Sequence, residues 1–216
     1  MGRAKYTEEE RHRIMISFIQ AARKIIDTEG IEQVSIRKIA NLTGMNSATM
    51  YLYFPSSDVL VTMASMNYLE KYCRTLAADM AKMTTSERIL RHTWDVFSRY
   101  AFDYPDIFYH IFFEEHPISL TEIIDQYYTL FPEQLQNIEG PVLGMLHEGP
   151  LTERSWHVLW PVAKDRGMTE QDARVLNDML VSYFGFLLEE RRREAEGMLK
   201  SAELLGKLQT ALDIMI

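Results

Sequence analysis

From Thr7 to the end of the chain, apolar residues recur at spacings of three and four, and no stretch alternates strictly between apolar and polar. That is the period of an α-helix, so the pattern confines the chain to an all-α fold. Composition agrees: 10 Gly and 7 Pro in 216 residues permit long helices and disfavour a turn-rich β-fold. Helices are expected at 7–28, 35–43, 46–54, 57–81, 86–103, 105–115, 119–137, 141–148, 152–165, 169–195 and 200–215. Pro132 and Pro161 fall inside two of them and should kink or split them, since proline lacks the N–H and its ring clashes with the preceding turn.

The first three segments have local stop and start signals. Thr7 with Glu10 forms a capping box, each side chain accepting from the other residue's backbone N–H. Ile14, Phe18, Ala21, Ala22, Ile25 and Ile26 then give one apolar face, and Gly30 stops the helix. Ser35 caps a short helix ending near Thr43-Gly44. Asn46 or Ser47 caps another, closed by Phe54-Pro55. Ser56-Ser57-Asp58 opens a fourth. Two short helices joined by a turn containing Gly44 make a helix-turn-helix signature. Glycine there supplies the positive φ of a sharp turn.

Charge does not oppose a nucleic-acid partner as strongly as the net −8 suggests. Residues 1–58 hold eight Lys/Arg against seven Asp/Glu, and the acidic excess lies beyond them, 15 against 24. On a wheel of 46–54, Asn46, Met50, Tyr53 and Phe54 share the side that packs. Ala48, Tyr51 and Leu52 share the opposite side, with Ser47 and Thr49 at its margins. Small residues at the start let a backbone approach base edges. Asn can read adenine, Ser several bases, and Ala or Leu a thymine methyl. Tyr and Thr hydroxyls suit phosphates. The plainer alternative is a helical hairpin inside an all-α core.

Residues 7–63 resemble the N-terminal domain of the TetR family of transcriptional repressors. The resemblance rests on the helix Ile14–Ile26, on Glu29-Gly30, and on Val34-Ser35-Ile36-Arg37-Lys38-Ile39-Ala40. It continues through Thr43-Gly44-Met45 and residues 49–56, Thr-Met-Tyr-Leu-Tyr-Phe-Pro-Ser. It implies an all-helical homodimer with a helix-turn-helix three-helix domain over residues 1–56. A larger ligand-binding and dimerisation domain would follow over 57–216, pairing through residues about 169–216. The implied DNA-binding set is Ser35, Arg37, Asn46, Ser47, Ala48, Thr49, Tyr51, Leu52 and Tyr53. The family often has Lys at positions 47 and 57 and Gly at 48, where this chain has Ser47, Ser57 and Ala48. Arg3, Lys5, Arg11 and Arg13 are the cations available to compensate.

Aromatic residues crowd 94–116. Most belong to a core, while an apolar pocket between bundle helices is the functional reading. Its candidate lining is Trp94, Tyr100, Tyr109, His110, Phe113, Glu114 and Trp156, and 13 methionines suit an adaptable wall. A metal is not expected. Of His110, Glu114 and His116, only the first two share a helical face, and Pro117 marks a helix end. A di-iron bundle needs two Glu-x-x-His motifs, and only Glu9–His12 fits. No Gly-rich phosphate loop or nucleophile elbow occurs, so no catalytic residue, cofactor or enzymatic activity is expected.

The single Cys73 excludes an intramolecular disulfide and suits a reducing cytoplasm. No signal peptide is expected, and the longest apolar runs fall far short of the ~20 residues that cross a membrane. The sequence therefore points to a cytoplasmic, ligand-responsive repressor. Its expected partners are a palindromic double-stranded operator, a small-molecule inducer and a second copy of itself. The alternatives are an all-α enzyme or carrier with an unrelated N-terminal hairpin, and a regulator that answers to a protein.

Overall fold

The computed structural model describes residues 6–80, 82–136, 141–194 and 201–216. Arg3 and Lys5, and residues 81, 137, 195 and 200 of the expected helices, lie outside them. Among the described residues there are eleven α-helices and no strand. They are α1 (Glu8–Glu29), α2 (Ile36–Thr43), α3 (Ser47–Met50), α4 (Ser57–Met80), α5 (Ser86–Asp103), α6 (Pro105–Phe113), α7 (Leu120–Leu130), α8 (Pro141–His147), α9 (Leu151–Asp165), α10 (Glu170–Arg193) and α11 (Ser201–Met215). None of them is long and apolar enough to cross a membrane.

The starts follow the side chains. Thr7 and Glu10 form the capping box of α1, and the hydroxyls of Ser35 and Thr169 accept from Lys38 and Asp172 backbone N–H groups. Gly30 ends α1 at φ 95°, and Gly44 ends α2 in the left-handed region at φ 69°. Two expectations need correction and one is met. The third helix ends at Met50, and 51–53 form a turn, so the wheel drawn to residue 54 overran it. The helix expected over 119–137 stops at Leu130, with a 3₁₀ turn at Pro132–Leu135, which is the split expected at Pro132. Pro161 does not interrupt α9.

The chain divides into two compact units. The first comprises Met1–Asn67 and Glu115–Glu133. Phe18, Ile25, Ile39, Met50 and Phe54 form its core beneath α1–α3, with Phe18 and Phe54 meeting edge to face at 6.2 Å. Helix α7 belongs to the same unit. Tyr127, wholly buried, accepts from the Arg23 guanidinium of α1 at 3.1 Å.

The second unit comprises Tyr68–Glu114 and Gln134–Ile216. Phe184 of α10 sits at its centre, with Trp94, Phe97 and Phe102 of α5 at 5.4, 5.2 and 5.8 Å between ring centroids. Gly185 is required beside it. A Cβ there would lie 2.6 Å from the Phe113 ring, so the absence of a side chain lets α6 and α10 approach.

Candidate nucleic-acid interface and ligand site

The turn between α2 and α3 is tied by side chains. The Thr43 hydroxyl donates to the Ile39 carbonyl at 3.0 Å and accepts from the Met45 N–H at 3.3 Å. Asn46 then caps α3, its Oδ1 accepting from the Ala48 N–H at 2.9 Å. This corrects the wheel: Asn46 is exposed rather than packed, because it precedes the helix and its side chain folds over the end. Met50 and Phe54 pack, as the pattern requires.

Ser47 and Ala48 are exposed, Thr49 is half-buried, and Tyr51 and Leu52 stand out at 57% and 66% exposure. Tyr53 is half-buried, its ring 5.4 Å from the Arg11 guanidinium, which holds a cation beside α3. Of the other candidates, Ser35 is exposed and occupied as the cap of α2, and Arg37 is exposed. Arg13 pairs with Glu9 at 3.5 Å. Leu42, at the end of α2, is also 48% exposed. The sequence reading passed over it because a lone apolar residue beside a turn reads as ordinary surface. Residues 46–57 contain no charged side chain, so the surface presented here is polar and apolar, with Arg11 of α1 placing a cation beside Tyr53.

In the second unit the seven ligand candidates fall in several groups, with Trp94 and Phe113 both against Phe184. Tyr109 and Phe113 stack at 5.5 Å, with the Arg192 guanidinium 3.9 Å from the Tyr109 centroid. His110 Nδ1 lies 2.7 Å from Glu114 Oε2 one turn on. The Tyr100 hydroxyl meets that of Thr75 at 3.0 Å. Trp156 stacks on Trp160 at 5.1 Å beneath the Arg174 guanidinium. Trp94 lines a cavity, a gap of about 20 Å³ between α5 and α9 shared with Thr93, Phe97, Arg154, Ser155 and Tyr72. Burial pushes the Tyr72 phenol well above its ordinary range, so it is neutral. The sequence reading missed Arg154. Its signal was there, a charged residue on the stripe Leu151, Val158, Leu159 and Val162.

Late helices were expected to carry a dimer face. Much of their apolar surface is core: Ala173, Leu180, Phe184, Leu187 and Leu188 are buried within the subunit, as are Leu204, Leu205, Leu208 and Leu212. A second row on α10, Val175, Met179 and Phe186, is exposed, with Ile214 of α11. Between them lies an apolar hollow of about 510 Å³.

Residues 18–62 match the profile of bacterial regulatory proteins of the tetR family. No curated protein sequence matches the chain. Solved structures resemble it along most of its length. Thermus thermophilus FadR, a TetR-family transcriptional repressor in complex with lauroyl-CoA, superposes with a TM-score of 0.58 at 14% identity, covering 93% of this chain and 92% of that one. RolR in complex with resorcinol gives 0.57 at 15%, over 97% and 96%. The Bacillus subtilis transcriptional regulator FadR in complex with stearoyl-CoA gives 0.53 at 14%, over 93% and 97%. At such identities the likeness speaks for the fold, and the profile match speaks for the reading domain. The match thus identifies residues 18–62 as a tetR-type segment, and the chain as a whole shares the fold of these regulators.

Proposed function

We propose that the protein is a cytoplasmic repressor that binds a palindromic operator as a homodimer and leaves it when a small molecule occupies the second unit. The observation that carries this reading is the outward presentation of Tyr51 and Leu52 on a three-helix domain of the tetR type. The proposed reading residues are Ser47, Ala48 and Leu52 for bases, with Asn46 beside them. Ser35, Arg37, Thr49, Tyr51 and Tyr53 serve phosphates and orientation. The functional boundary is proposed near residue 56. Dimerisation uses the row Val175, Met179 and Phe186 with Ile214, since an apolar row on a helix whose other face already packs needs a second partner.

A two-fold dimer sets two copies of α3 against successive half-sites, so the operator should be palindromic. A ligand releases DNA only if it favours the dimer shape with wrongly spaced reading heads. Ligand control is supported by the lauroyl-CoA, stearoyl-CoA and resorcinol complexes of the fold relatives. The test is selection of a palindrome from random DNA, followed by release of that DNA from the protein with a compound panel. Failure to enrich any palindrome refutes the reading.

A further inference from the structure

Arg154 lies on the inward face of α9 and is 2% exposed. A guanidinium keeps its charge in a protein, and burying a charge without an opposite one is costly. Among the described residues no carboxylate pairs with it. Nη2 donates to the Leu146 carbonyl at 3.2 Å, and the group lies 5.5 Å from the Phe112 centroid. Nε and Nη1 make no hydrogen bond to an oxygen, and the neutral Cys73 thiol lies beside the guanidinium. Thr93 Oγ1, Trp94 Nε1 and Ser155 Oγ are also buried without partners. All four residues border the cavity between α5 and α9. A buried polar atom left unsatisfied is costly, so a cluster of them around one charged group is a poor structural solution. It is a good receptor for an anion, since every unpartnered group in it can donate.

We propose that this cavity is the closed, unliganded form of a binding site for a small organic acid. The carboxylate takes Arg154, with Thr93, Trp94 and Ser155 donating to it, and an apolar or aromatic body lies against Tyr72 and Phe97. The gap of about 20 Å³ has room for little more than one water. Occupation therefore displaces lining side chains, of which Met145 is the most pliable. That displacement bears on the packing of α5 against α9, the differential interaction a ligand needs in order to shift an equilibrium. The inference rests on the ligand-controlled reading above and names the chemical class of the ligand.

The experiment is isothermal titration of the full-length protein with benzoate and octanoate, with benzamide and octanamide as neutral counterparts, and with chloride and phosphate at matched ionic strength. At least one acid is expected to bind about tenfold or more tighter than its amide. Arg154→Met should abolish that preference while melting at an equal or higher temperature, because an apolar side chain replaces an unpaired charge. Equal binding of acid and amide, inorganic anions binding as tightly as the acids, or no acid binding overturns the proposal. If Arg154→Met instead melts lower, the Thr93→Val/Ser155→Ala double variant decides: unchanged acid affinity overturns the site. Operator binding is measured separately. Failure of the acids with an intact operator complex sinks this inference alone, and loss of operator binding with intact acid binding sinks the regulator reading alone.

Discussion

Met50 and Leu52 are two residues apart, similar in size and opposite in circumstance. Met50 is fully buried and Leu52 is 66% exposed. Met50→Ala should cost about 2–5 kcal/mol through lost contacts and the cavity left behind, a large share of the ~5–15 kcal/mol that holds a domain. Leu52→Ala should change stability by no more than about 0.5 kcal/mol. Burying a leucine completely is worth about 1.5–3 kcal/mol. Two-thirds of Leu52 remains to be covered by DNA, so its truncation should cost about 1–2 kcal/mol of operator affinity, roughly 5- to 30-fold. Amide hydrogen exchange over residues 18–62 reads the first effect, because protection reports local opening. Fluorescence anisotropy on the selected palindrome at fixed salt reads the second. If Leu52→Ala keeps wild-type affinity, or loosens 18–62, the division of residues 46–54 into a packed and a reading face is wrong.

Tyr51→Ala should abolish the gel-shifted operator complex while the protein stays folded and dimeric. Met179→Glu should turn a dimer into a monomer in sedimentation, since it places a charge in the middle of the exposed row on α10. Gly185→Val drives a side chain into the Phe113 ring, and overpacking of this kind costs about 1–3 kcal/mol, read as a lower melting temperature. Burial pushes the Cys73 thiol up to about 12, so a thiol reagent at pH 8 should label it only as fast as the protein opens. The folded thiol holds its proton where the unfolded one, near 9.0, releases it. Stability should therefore fall as pH rises from about 9 towards 12.

The helices were legible because their signals are local. Thr7 with Glu10, Ser35 and Thr169 act within three residues of themselves, and Gly44 needs only its own φ. Most of residues 46–54 was legible too, Met50 and Phe54 inward and Tyr51 and Leu52 outward. Asn46 was misplaced because a wheel treats a cap as part of the helix it precedes. The ligand candidates scattered for a different reason: an aromatic in a helical bundle has the same period whether it lines a gap or fills it. Arg154 and the outer row of α10 acquire meaning only from what stands opposite them. A single chain's periodicity cannot report the partner of a helix that is apolar on two sides.

The uncharged stretch 46–57 bears on how this protein would find its site. Most affinity for random DNA comes from cations releasing counterions from phosphates. If it is a reading head, this surface, which offers hydroxyls, a tyrosine and a leucine with Arg11 as its nearby cation, should hold random DNA loosely. Such a protein spends less time sliding and more time free between encounters. Its preference for the correct sequence is then set by how poorly it binds everything else, and it should weaken when thymine methyls are removed from the operator by substituting uracil.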